Sequence, residues 1–113
     1  MEMNVHLHPD VFEIVKQGVK DIEVRVNDEK RRKLKVGDTL VFLKRPLEDE
    51  SIKAKVIGLE YYDNFIELVN HYDMKRIYLD GYTKENYLKE MARFYTDEEQ
   101  KEYGVVAIIF EKE

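Results

Sequence analysis

Hydrophobic and polar residues alternate along several short segments of the chain. This alternation predicts β-strands, because successive side chains of a strand point to opposite faces. It occurs in segments 3–7, 21–26 and 52–56. Two further segments, 39–43 and 105–110, are apolar on both faces, which predicts strands buried inside the fold. The sequence therefore predicts five strands.

Other segments place apolar residues at helical spacing. Pro9 opens the first of these helices, and Gly18 supplies its end. Further helices are predicted after Asn64 and after Thr83, and a capping box at Thr96 begins a short last helix. The order strand, helix, three strands, helices, strand is that of an α+β domain. Because the last strand must lie deep in the fold, we expect a small β-barrel flanked by helices.

The length and composition indicate a single folded domain spanning residues 1–113. The chain contains no cysteine, which excludes disulfides, thiolate metal sites and a cysteine nucleophile. No apolar run approaches the length of a membrane span and no signal sequence opens the chain, so we expect a cytoplasmic protein without a membrane partner. Charged residues make up 38% of the chain and glutamine occurs only twice, a profile typical of proteins from very hot environments.

The overall charge and the few histidines narrow the possible functions. A net charge of −5 argues against a protein that coats nucleic acid non-specifically, although a local basic site remains compatible with it. His6, His8 and His71 do not have the spacing of a zinc motif, so we expect no metal and no cofactor. Neither a catalytic triad order nor a Gly-rich phosphate loop occurs in the sequence.

The most informative segment is 18–25, Gly-Val-Lys-Asp-Ile-Glu-Val-Arg, because charged side chains interrupt a strand-like pattern. In a strand, Glu23 and Arg25 share one face and lie roughly 6.5 Å apart along it. The carboxylate and the guanidinium can therefore both bind one ligand, and Lys20 adds a positive charge beside them. The structural alternative is an ion pair on an exposed strand, which contributes about 0 to 1 kcal/mol.

Two further groups of residues are candidates for ligand contacts. A basic connector follows the motif and is either a solvated charge cluster or a set of phosphate contacts; it comprises Lys30, Arg31, Arg32, Lys33 and Lys35. Tyr78 and Tyr82 lie between predicted helices, where a ring can form the wall of a cleft and stack on a base. Three other tyrosines sit at helical spacing and are predicted to be core residues: Tyr72, Tyr87 and Tyr95.

The motif resembles the signature of a known family. Gly18, Lys20, Glu23 and Arg25 match the G-x-K-x-x-E-x-R pattern of the ASCH domain (activating signal cointegrator homology domain), a relative of the PUA-like barrels. The resemblance extends over nearly the whole chain, through His8-Pro9, the turn at 35–38, the helix start at 64–68 and the closing apolar strand.

The resemblance implies a PUA-like β-barrel with a charged cleft that binds RNA or a nucleotide. One branch of the family resembles an amidohydrolase that removes the acetyl group from N4-acetylcytidine with a lysine, a threonine nucleophile and a downstream carboxylate. Lys20 falls on the lysine position, Glu23 replaces the threonine, and Asp80 is an approximate match for the carboxylate. Three functions therefore remain open: a binding module, a hydrolase with Lys20 as general base and water oriented by Glu23 or Asp80, and a protein-interaction domain.

Overall fold

The computed structural model describes residues 1–113 and contains five strands and six helices. The strands are β1 (Glu2–Leu7), β2 (Ile22–Val26), β3 (Thr39–Lys44), β4 (Ser51–Tyr62) and β5 (Val105–Lys112). The helices are α1 (Pro9–Lys16), α2 (Glu29–Arg32), α3 (Phe65–Val69), α4 (Met74–Ile77), α5 (Lys84–Ala92) and α6 (Asp97–Tyr103).

All five strands form one mixed sheet in the order β1-β3-β4-β5-β2. The pair β1 and β3 is parallel, whereas the other neighbouring strands are antiparallel. The sheet curls into a half-barrel whose two edges are β1 and β2. The predicted α+β domain with a small barrel flanked by helices is therefore confirmed. The strand that carries the charged motif lies at one edge of this sheet.

Two hydrophobic cores lie on the two faces of the sheet. The first core joins β1, α1 and β3 to the middle of the sheet and includes Phe12, Phe42 and Phe110. The second core packs α3, α4 and α5 against the other face. Ile22, Val24 and Val26 of β2 point into the second core, as their alternation predicts. Glu23 and Arg25 therefore project from the opposite face of β2.

Local sequence signals identify several details of the fold correctly. The pairing of β4 with β5 shifts register between Val56 and Gly58, and an isolated glycine within a strand often marks such an irregularity. Thr96 and Glu99 form the expected capping box at the start of α6. The helix after Asn64 ends at Val69, and Asp73 then caps the separate short helix α4.

Candidate functional site

The charged motif begins where α1 turns into β2. Gly18 adopts a positive φ of 80°, a conformation that glycine accepts without the steric cost of a side chain. The amides of Val19 and Lys20 then donate to the carbonyl of Ile14, which ends the helix. This turn directs the Lys20 side chain towards β2 and α4, and the motif strand follows directly.

Lys20 is buried, with only 3% of its surface exposed. Its Nζ donates to the main-chain carbonyls of Ile22 and Ile77, the latter at 2.6 Å, and lies 3.0 Å from Glu23 Oε1. An ammonium group has three donors, and each of them has an acceptor here. Lys20 therefore ties the start of β2 to the end of α4, and it has no donor left for a ligand.

Glu23 links Lys20 to Arg25. Its second carboxylate oxygen, Oε2, accepts from Arg25 Nε at 3.0 Å and from Nη2 at 2.6 Å. The side chain of Glu23 is 7% exposed and that of Arg25 is 24% exposed. The motif is thus a buried charged triad, Lys20–Glu23–Arg25, and not an ion pair on an exposed strand. Arg25 is its most accessible member, and Nη1 is the guanidinium nitrogen that Glu23 does not engage.

The charges of the triad shift the pKa values of its members. Burial alone would raise the pKa of Glu23, but the positive charges of Arg25 and Lys20 outweigh it and lower that pKa to about 2. The charge of Glu23 raises the pKa of Arg25 above its already high usual value. Burial lowers the pKa of Lys20, and Glu23 opposes this shift. Glu23 is therefore a carboxylate, and Arg25 a cation, across the physiological pH range.

A cavity of about 240 Å³ opens beside the triad, between the two edge strands of the half-barrel. β1 contributes His6 and Leu7, and β2 contributes Glu23, Val24 and Arg25. The opposite wall comes from α4, α5 and the turn after α5. This volume lies below the roughly 300 to 1,000 Å³ typical of drug-sized ligand sites, so the cavity suits a smaller group.

Tyrosines form much of the opposite wall. Of the two candidate tyrosines, Tyr78 lines the cavity, whereas Tyr82 does not line it and packs edge-on against Tyr78, with ring centroids 4.8 Å apart. Tyr87 and Tyr95 also line the cavity, although helical spacing predicts them only as core residues. The sequence pattern does not mark Phe94 as a ligand-contact residue, yet Phe94 lines the same cavity and is 65% exposed. Helical spacing shows which side chains share a face, but it does not show which face meets a cavity.

The basic connector lies apart from this cavity, because none of its side chains lines it. Two members make contacts within the chain: Arg31 pairs with Asp28, and Arg32 donates to the carbonyls of Asn27 and Tyr103. Three members are exposed and form no ion pair: Lys30, Lys33 and Lys35.

The structure does not bring Asp80 to the triad, since Asp80 is exposed and does not line the cavity. Nowhere does a group of three or more side chains of the metal-ligating types converge. None of the six helices is both long and apolar enough to cross a membrane.

A second, larger groove of about 870 Å³ lies between the end of β4, α3, α5 and α6. Its lining includes Tyr61 and Ile66, which are 59% and 61% exposed. Neither Lys20, Glu23 nor Arg25 contributes to it. Eight of its fifteen lining residues are hydrophobic, so the groove is of mixed character and separate from the triad.

Comparison with known families and structures agrees with the fold and the motif. A sequence model of the family described as "ASCH domain" matches residues 5–113. No curated protein matches the sequence.

The solved structures that are similar to this one include the following three. The crystal structure of hypothetical protein PH0355 has a TM-score of 0.86 and 34% identity, and each chain covers 100% of the other. The solution structure of protein PF0455 from Pyrococcus furiosus has a TM-score of 0.79 and 32% identity, over 99% of this chain and 97% of that one. The S128A mutant of ZmASCH from Zymomonas mobilis has a TM-score of 0.62 and 14% identity, over 97% of this chain and 67% of that one, and supports the fold alone. The neighbours support the PUA-like fold, and the archaeal ones also agree with the thermophile-like composition.

Proposed function

The chain belongs to the ASCH domain family, and from this premise we propose that it binds RNA or a nucleotide in the cavity beside its half-barrel. The observation that carries the proposal is the buried triad Lys20–Glu23–Arg25 at the cavity wall. Burying a charged group costs several kcal/mol per ion, and the attraction within the triad largely offsets this cost. Apolar side chains of similar size would therefore be about as stable at this position, so stability alone does not explain the three charges. A requirement for one fixed guanidinium at the cavity explains the arrangement.

Within the triad, Arg25 is the group that contacts the ligand. The guanidinium of Arg25 is held in place by Glu23, and Glu23 is itself held by Lys20. The guanidinium N–H donors that Glu23 does not engage therefore have a fixed direction. A fixed guanidinium binds a phosphate or a carbonyl oxygen with charge-assisted hydrogen bonds. Glu23 and Lys20 act as positioning residues, and the tyrosines supply rings on which a base can stack.

The hydrolase alternative rests on Lys20 as a general base, and burial does lower the pKa of Lys20. However, all three donors of the ammonium group are engaged, which favours the protonated form. Glu23 has no hydroxyl to attack an acyl carbon, and Asp80 lies outside the cavity. Binding is therefore the better-supported function of this site.

We expect Arg25→Ala to weaken binding of a fluorescein-labelled single-stranded RNA at least tenfold at fixed salt, measured by fluorescence anisotropy. The loss corresponds to charge-assisted hydrogen bonds of about 1.5 to 3 kcal/mol. Arg25→Lys should also weaken binding, because an ammonium group cannot reproduce the planar set of fixed donors of a guanidinium. Lys55→Ala, which removes one exposed positive charge from β4, is the matched control and should bind nearly as wild type.

Circular dichroism will verify that the Arg25 variants are folded, since Arg25→Ala also removes a partner of buried Glu23. Equal affinities for folded Arg25→Lys, Arg25→Ala and wild type would show that the RNA does not use this cavity.

The basic connector provides a second, separable prediction. If Lys33 contacts a phosphate, Lys33→Ala will reduce the slope of log affinity against log salt by about 0.7, the value for one contact with a single strand. The measurement is a salt titration of the same RNA between 50 and 300 mM, about the range in which such contacts are screened. If the Lys33→Ala protein has the same slope as wild type, Lys33 does not contact a phosphate and belongs to the solvated surface.

A further inference from the structure

One edge of β2 carries main-chain groups that the sheet does not use. Two main-chain bonds continue the register of the β2–β5 pair at its ends: the amide of Phe110 donates to the carbonyl of Asp21, and the amide of Asn27 donates to the carbonyl of Gly104. Bonded and non-bonded residues alternate along an antiparallel strand. The odd-numbered residues of β2 therefore bond to β5, and the even-numbered residues direct their N–H and C=O groups to the outer edge.

Two even-numbered residues show where this outer edge points. The carbonyl of Ile22 accepts a hydrogen bond from Lys20 Nζ, so the edge faces the triad. Val24 comes next along the edge and lines the cavity, while its side chain is buried in the second core. Neither the N–H nor the C=O of Val24 has a partner in the chain. Buried main-chain groups are nearly always paired, so an unpaired donor and acceptor at a cavity wall indicate a partner from outside the chain. Both groups of Val24 are therefore available to a ligand.

The hydroxyl of Tyr87 is a second unpaired polar group in the same cavity. Tyr87 is 4% exposed and lines the cavity, and it has no hydrogen-bond partner within the chain, unlike the paired hydroxyls of Tyr62 and Tyr72. Burial raises the pKa of Tyr87, so its hydroxyl keeps its proton. The fully buried side-chain atoms without a partner are Asn27 Oδ1 and Arg31 Nε, so the unpaired Tyr87 hydroxyl is still accessible, and the cavity that Tyr87 lines is where a partner would lie.

We propose that the outer edge of β2 at Val24, together with the Tyr87 hydroxyl, reads the Watson–Crick edge of one unpaired base. This inference deepens the proposed RNA or nucleotide binding and rests on it. A strand edge offers one donor and one acceptor side by side, and the Watson–Crick edge of a base offers the complementary pair. In a duplex this edge is already occupied, so the ligand is a single-stranded segment or a free nucleotide.

The roles of the polar groups then separate. The main chain of Val24 and the hydroxyl of Tyr87 bond to the base, whereas Arg25 binds a carbonyl or phosphate oxygen of the same nucleotide. Specific recognition of RNA generally depends on such contacts to the edges of unstacked bases. A side-chain substitution cannot remove the main-chain contact, so the decisive test changes the ligand.

The experiment is a ¹H–¹⁵N NMR titration of the full chain with the four nucleoside 5′-monophosphates and with ribose 5-phosphate. The nucleoside monophosphate that binds most tightly is then compared with its derivative methylated on the Watson–Crick nitrogen, which is N3 of a pyrimidine or N1 of a purine. We expect the amide signal of Val24 to shift with the parent nucleotide. We also expect methylation to weaken binding about tenfold to a hundredfold, as the loss of a bidentate contact does.

A methylated nucleotide or ribose 5-phosphate that binds as tightly as the parent would overturn the base-edge contact and leave the proposed nucleotide binding intact. Failure of all four nucleotides, and of single-stranded RNA, to bind would reject the proposed function itself.

Tyr87→Phe provides an independent readout, because it removes only the hydroxyl. We expect about three- to tenfold weaker nucleotide binding and no loss of thermal stability, since the hydroxyl has no partner in the free protein. Tyr61→Phe, at an exposed position outside the cavity, is the matched control. A variant that binds as wild type, or that loses stability because its hydroxyl had a structural partner, would contradict the assignment of Tyr87.

Discussion

Replacing Glu23 with glutamine is expected to lower the free energy of unfolding by about 3 to 5 kcal/mol, the usual cost of removing one partner from a buried ion pair. Glutamine has nearly the same size as glutamate, so the substitution leaves no cavity. The loss of unfolding free energy therefore measures the effect of removing the charge. The amide would leave Lys20 and Arg25 buried without a carboxylate between them. Urea denaturation of both proteins at pH 7, followed by circular dichroism, measures the difference.

Asp21→Asn is the matched control for this experiment. Asp21 pairs with Arg76, but the two side chains are 40% and 41% exposed, so solvent screens their attraction. The expected cost is about 0 to 1 kcal/mol. A Glu23→Gln protein as stable as the Asp21→Asn protein would mean that the triad contributes no more than a surface pair.

Acid should destabilise the protein through the same carboxylate. Glu23 has its pKa lowered from its usual 4.5 to about 2 in the folded state. A group with a lowered folded pKa contributes its stability fully above the unfolded value and loses it as the pH falls through the folded value. The contribution is about 3 kcal/mol at pH 7, and it should disappear between about pH 4.5 and pH 2.

Other carboxyl groups also titrate in this range, and the Glu23→Gln protein corrects for them. The difference in unfolding free energy between wild type and Glu23→Gln should shrink by about 3 kcal/mol from pH 7 to pH 2. A difference that stays constant over this range would show that the pKa of Glu23 is not lowered in the folded protein.

Much of the fold follows from patterns that are local in the sequence. The alternation at 21–26 identifies β2 and the direction of Glu23 and Arg25 correctly. The apolar run at 105–110 correctly indicates an inner strand, because β5 lies between β4 and β2. The short helices α2 and α4 were not predicted, since a single turn contains too few residues to show a helical period.

The candidate site was predictable only in part, because burial is decided by residues far along the chain. The motif identifies Lys20, Glu23 and Arg25, but their desolvation depends on α4 and α5 covering the edge of the sheet. The carbonyl of Ile77 that Lys20 contacts has no signature in the sequence. Likewise, Tyr87 differs from an ordinary core tyrosine only because its helix faces the cavity.

The order of synthesis has a consequence for the site. The only strand partner of β2 is β5, which is the last strand along the chain. While the intervening residues are being translated, β2 has no neighbour in the sheet and the three charges of the motif remain hydrated. Pairing across so long a loop is entropically costly and slow. The proposed site is therefore completed only when β5 joins the sheet beside β2.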